Sequence, residues 1–138
     1  MALTDQPYIP LFVDDWMNNN KLKICSPGSH GLMITVMCLM HKSHPYGKLL
    51  LKQKFKQMAK QNTKQEYKPF HGFAYQIAKQ SSFDLPDVLL YLTELLEEEV
   101  LFIEGDYLVN NRMVRDAEIS ASRAIAGKMG GKATQNKA

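Results

Sequence analysis

A chain of 138 residues, 45% of them apolar, is long enough for one domain with one core and too short for several. Two cysteines exclude a disulfide-built scaffold, no segment reaches the roughly 18 apolar residues of a membrane span, and the polar start around Asp5, Gln6 and Pro7 carries no signal-peptide pattern, so the chain reads as cytoplasmic, with reduced thiols and no membrane partner. The net charge of +3 hides a segregation: residues 1–47 are neutral, 48–80 carry +7 (eight Lys, one Glu), 81–110 carry −8 with no Lys or Arg, and 111–138 carry +4.

Two prolines in Pro7-Tyr8-Ile9-Pro10 favour extended backbone. A short helical turn is expected near Asp14–Asn18, laying Phe12 and Trp16 on the core, with Asn18-Asn19-Asn20 ending it. Ser26-Pro27 is a helix start, because Ser caps and Pro fits the first helical position. From there to about Lys42 the residues Leu32, Met33, Ile34, Val36, Met37, Cys38, Leu39 and Met40 leave almost no polar face, which predicts a central helix surrounded by protein. Pro45 and Gly47 stop it.

Tyr46–Leu51 reads as a short strand. Residues 52–69 are rich in Lys and Gln, with Phe55, Met58 and Ala59 at helical spacing, which predicts a weakly amphipathic helix and then a loop over 62–69. A further helix over about Phe73–Gln80 buries Phe73, Ala74 and Ile77. After a turn at Ser81–Asp84, a helix begins near Pro86. On it Leu85, Val88, Leu89, Leu92, Leu95, Leu96 and Glu99 form one stripe, and Asp87, Leu90, Glu94 and Glu97 lie opposite. Val100–Glu104 and Tyr107–Asn110, joined by Gly105-Asp106, read as a β-hairpin. A polar helix is expected from Arg112 to about Ala126, and a flexible basic linker from Gly127 onward.

The order helix, strand, helix, turn, helix, hairpin is that of a winged helix. The expected fold is therefore mostly α with a small β-hairpin, a winged helix-turn-helix with an extra N-terminal segment and a C-terminal helix and tail. Its parts are an arm over 1–24, the winged helix over 25–111 with a Lys-rich insertion at 52–69, and the polar helix and tail over 112–138.

Three stretches carry a family resemblance. Pro7-Tyr8-Ile9-Pro10-Leu11-Phe12-Val13-Asp14-Asp15-Trp16 resembles the opening of N-terminal domains in phage-derived and mobile-element replication proteins, the DnaD-like replisome organisers and their relatives. The helix from Ser26 to His41, with Gly31-Leu32, and the tail from Arg123 to Lys132, with Gly127, Gly130 and Gly131, are similar to later motifs of the same family. The resemblance spans about residues 8–132 and departs at 52–69. It implies a DNA-associated module that helps start replication by engaging DNA, itself or other replication proteins.

The residues themselves point two ways. Lys48, Lys52, Lys54, Lys56, Lys60, Lys64 and Lys68, with Arg112, Arg115 and the tail bases Arg123, Lys128 and Lys132, are candidates for phosphate contact, where cations displace counterions. Phe55, Tyr67 and Phe70 interleave with the lysines and could stack on bases, although core positions suit Phe55, Phe70 and Phe73 better. Asp87, Glu94 and Glu97, on the helix in the recognition position, repel phosphate. With Leu90 as an apolar centre, they suggest a protein contact, including self-association with the basic 48–68 stretch of a second copy. A winged-helix transcription regulator fits the fold order but conflicts with that acidic face.

Cys38, His41 and His44 have a spacing that invites zinc, but His44 falls beyond the helix end and no fourth ligand is evident. Gly127–Lys132 lacks the spacing of a phosphate-binding loop. Glu97, Glu98 and Glu99 are consecutive and fan around a helix instead of pairing. No nucleophile, base or metal set suggests an enzyme, and no cofactor is implied.

Overall fold

The computed structural model describes residues 3–64 and 66–137, with side chains described as far as residue 127. After a 3-10 turn at Leu3–Asp5, the elements are α1 (Val13–Met17), α2 (Asn20–Ile24), α3 (Pro27–His41), β1 (Lys48–Leu50), α4 (Gln53–Asn62), α5 (Pro69–Gln80), α6 (Leu85–Glu97), β2 (Phe102–Glu104), β3 (Tyr107–Val109) and α7 (Asn111–Lys137). The strands form one antiparallel sheet in the order β1-β3-β2. This is a mostly α fold in which the hairpin β2–β3 is the wing and β1 pairs along its inner strand, with Leu49 opposite Leu108.

The core lies where the stripes of α3, α5 and α6 meet the inner face of β1. Leu32, Val36 and Met40 of α3, Phe73 and Ile77 of α5, and Val88, Leu92 and Leu95 of α6 are essentially inaccessible. They join Leu49, Leu101 and Leu108 in one cluster. The expected stripe of α6 is thus its buried face, apart from Glu99, which lies beyond the helix end.

Local chemistry sets the element ends. The Ser26 hydroxyl accepts the Ser29 N–H at 3.4 Å with Pro27 in the first turn, as expected. At the end of α6, Glu99 N–H reaches Leu96 O at 3.1 Å and Val100 N–H reaches Leu95 O at 2.9 Å, with Glu99 at φ 58°. This is a Schellman turn with Glu in the left-handed position that usually falls to Gly. Gly105 at φ 60° takes the first central position of the hairpin turn, where a type II′ geometry requires a positive φ.

Four differences from the sequence reading have physical causes. Asn19 does not end a helix but starts α2, because its side chain accepts the N–H groups of Lys21 and Leu22, both at 3.1 Å. α5 begins at Pro69, earlier than Phe73, because Pro suits a first helical turn. Phe12 does not lie on the core: it is 51% exposed, while Trp16 alone packs inward from α1. α7 continues through Gly127–Gly131 to Lys137 where a linker was expected. Each Gly costs a helix about 1 kcal/mol, but the neighbouring Lys, Met, Ala and Gln are good formers and no Pro interrupts them.

Candidate nucleic-acid interface

The Lys-rich stretch folds onto the domain through one narrow apolar seam. On α4 only Phe55 and Ala59 are buried, with Met58 packed beside them, and these contact α5. The rest of the helix is left to solvent, and Lys54 and Lys60 project from it. Lys52 precedes α4, Lys64 follows it, and all four are exposed. Lys48 in β1 and Lys56 are half-buried. Among the described residues Lys56 alone of these makes an ion pair, with Asp106 at the wing tip at 3.7 Å. The expected lysines are therefore brought together along α4 beside the wing.

The aromatic residues of this stretch are not available for stacking. Phe55 and Phe73 are buried and Phe70 packs against the core. Tyr67 sits under the Lys60 ammonium, 5.4 Å from the ring centroid. Its hydroxyl is buried without a hydrogen-bond partner among the described residues, and burial pushes its pKa upward.

A buried amide joins the basic helix to the sheet. Gln76 of α5 is wholly inaccessible, accepts the Lys52 N–H at 2.8 Å and donates to Leu50 O at 3.0 Å. Its side chain acts as a strand partner for the last turn of backbone between β1 and α4. Sequence reasoning passed over Gln76, yet a signal existed: it shares a helix face with Phe73 and Ile77.

Two of the expected site residues are engaged inside the molecule. Glu94, expected on the interaction face, accepts the Ser26 N–H. In a capping box a Glu three residues into the helix does this. Here that position is Ser29, too short to reach back, and Glu94 of α6 takes the role from 68 residues away. The Ser26 N–H foremost, with the Ser29 hydroxyl, holds the Glu94 carboxyl below the usual carboxylate range. Arg112, expected on phosphate, instead bonds Asp15 at 2.5 Å and Asp116 at 3.2 Å, and its guanidinium lies 4.8 Å from the Phe12 ring centroid. It tethers the N-terminal arm to α7. Arg115, exposed on the first turns of α7, makes no ion pair among the described residues. Arg123 is exposed too, whereas the side chains of Lys128 and Lys132 lie outside the described residues.

Asp87, Leu90 and Glu97 do stand on the outer face of α6, all exposed, with Leu90 at 62%. The helix in the recognition position therefore presents carboxylates to solvent.

The zinc spacing does not become a site. Cys38, expected as a buried small hydrophobe, is exposed, and Cys25 is the buried thiol. Both ring nitrogens of His41 are occupied, by the Tyr46 hydroxyl at 2.8 Å and Gln6 O at 2.7 Å. Among the described residues no group of three or more His, Cys, Asp or Glu could hold a metal ion. Burial, aided by the nearby charges of Glu94 and Glu98, pushes the Cys25 thiol up to about 11.

A cleft of about 510 Å³ opens between the N-terminal arm, α3, the wing and the start of α7. Ile9, Phe12, Trp16, Met33 and Met37 form its apolar wall. Of its charged lining residues, Asp15, Arg112 and Asp116 pair together, as do Lys21 and Glu99 at 3.5 Å, which leaves Arg115. No helix among the described residues is long and apolar enough to cross a membrane. No protein-family model, curated protein or solved structure matches the chain.

Proposed function

We propose that the chain is a DNA-associated winged-helix module of a replication-initiation protein, touching phosphate without reading sequence. One observation carries the DNA contact. Lys52, Lys54, Lys60 and Lys64 are exposed along α4 and the residues that flank it, and no carboxylate pairs with them among the described residues. The role in replication initiation rests on the resemblance in residues 8–132. The contact surface is α4 beside the wing, with Arg115 a further candidate. Asp87 and Glu97 keep α6 out of the major groove, because each carboxylate repels phosphate and releases no counterion. That argues against a winged-helix transcription regulator reading bases with this helix. Arg112 is assigned to the arm, not to DNA.

The test is fluorescence anisotropy of labelled duplex and single-stranded DNA of unrelated sequence, at low and at physiological salt. Four phosphate contacts give a slope of about −3.6 in log affinity against log salt, so a fourfold rise in salt weakens duplex binding roughly 100-fold. Lys54, Lys60 and Lys64 changed to Glu abolish it. Absence of binding at low salt overturns the proposal and leaves the acidic α6 face as the surface that needs a partner.

A further inference from the structure

Apart from DNA contact, we propose that the cleft under the N-terminal arm binds a small free amphiphile, an apolar body ending in one carboxylate, with Arg115 receiving the carboxylate. The volume of about 510 Å³ lies within the range of small-molecule sites, which are mostly apolar with a few polar groups that fix orientation. Separate elements supply the apolar part. Trp16 comes from α1, and Met33 and Met37, four residues apart, share one face of α3. Both methionines are buried, and their unbranched thioethers adapt to the shape of a ligand. Phe102 of the wing and Met113 of α7 add to the same lining.

The polar groups of the lining decide the charge of the occupant, because nearly all of them are committed inside the molecule. Asn19 Oδ1 accepts the Lys21 and Leu22 N–H groups, and Asn110 Oδ1 accepts those of Arg112 and Met113 at 3.1 and 3.3 Å. His41 Nε2 faces the Gln6 carbonyl at 2.7 Å and so carries the ring proton, which makes the Tyr46 hydroxyl a donor to Nδ1. Lys21 pairs with Glu99. Arg112 spends Nε on Asp116 and Nη2 on Asp15, and the Asp116 side chain is drawn in to 14% exposure. With two aspartates, Arg112 is already over-neutralised. Arg115 lines the same cleft and pairs with no carboxylate among the described residues. Its planar fork of N–H donors matches a carboxylate, and a carboxylate there restores a balance of paired charges around an apolar space. A cationic head group would meet Arg115 as a like charge.

Trp16 is the only tryptophan of the chain and lines the cleft, so its fluorescence reports occupancy directly. Octanoate, decanoate, decanol and decylammonium are titrated at neutral pH, each below the concentration at which it forms micelles. Decanoate is expected to shift the Trp16 emission to the blue along a saturable one-site curve. Octanoate binds roughly 15-fold more weakly, because each buried CH₂ contributes about a factor of four. Decylammonium binds at least about tenfold more weakly than decanoate through its like charge. R115Q weakens decanoate by about 10- to 100-fold, the worth of a hydrogen bond to a charged group, and leaves decanol unchanged. Arg115 is exposed, so the variant keeps the fold, which circular dichroism checks.

No shift of Trp16 emission with decanoate, or a shift that grows without saturation, overturns the inference. So does octanoate or decylammonium binding as tightly as decanoate, or R115Q binding decanoate like wild type. The inference stands apart from the DNA reading, because none of the α4 lysines lines the cleft. K54E/K60E/K64E should therefore lose DNA and keep decanoate, and a folded triple variant that loses decanoate as well also overturns the site.

Discussion

Replacing Gln76 by Leu keeps the volume of the side chain and removes both of its hydrogen bonds. Lys52 N–H and Leu50 O then lose partners at 2.8 and 3.0 Å. A backbone group left unpaired costs about 1–3 kcal/mol when buried. Both residues lie near the surface, where water reaches more easily, so the lower half of that range, about 1–2 kcal/mol each, applies and the pair sums to about 2–4 kcal/mol. For a chain of this length that lowers Tm by roughly 7–14 °C. Q76E separates the hydrogen bonds from simple packing. A carboxylate still accepts from Lys52 N–H, but it faces the Leu50 carbonyl without a proton to donate. Burial raises its folded pKa above the unfolded value of about 4.3, so the folded state binds the extra proton and stability falls as pH rises through that pKa. Q76E should therefore approach wild-type stability near pH 4 and fall behind it by pH 7. Urea denaturation followed by circular dichroism across that range measures both variants. A Q76L protein as stable as wild type, or a Q76E deficit independent of pH, would refute the strand-partner role of the amide.

Three other substitutions or treatments probe separate features. A Cβ on Gly28 would sit 2.1 Å from the Tyr91 ring, so G28A should destabilise by about 1–3 kcal/mol in denaturant melts despite the better helix propensity of Ala. Glu94 is held below the usual carboxylate range by the Ser26 N–H, so its contribution is present above the unfolded pKa and disappears as pH falls through the lower folded one; E94Q should flatten that acid limb when Tm is followed from neutral to acidic pH. At mildly alkaline pH a thiol reagent should titrate one cysteine, Cys38, quickly in the native protein, and Cys25, buried with its thiol pushed up to about 11, only after unfolding. Equal rates for the two would contradict the burial of Cys25.

Local signals marked most elements without tertiary information. Ser26-Pro27 opened α3, the leucine stripe of α6 named its buried face, and Gly105-Asp106 set the hairpin, because caps, periodicity and turn chemistry act within a few residues. The charge segregation was also plain in the chain, and the structure keeps it as two exposed faces. What only the tertiary structure decided are the partners. Glu94 and Arg112 looked like free surface charges, and each turned out to be committed to a group 68 and 97 positions away in sequence. Phe12 and Cys38 looked apolar enough to be buried, but Phe12 stays exposed against the Arg112 guanidinium and Cys38 lies on the solvent side of α3. Gln76 drew no notice in the chain, and its worth lies in two backbone groups about 25 residues earlier. A sequence states which side chains carry charge or a hydrogen-bonding group, whereas only packing determines whether that capacity is spent inside the molecule or left for a ligand.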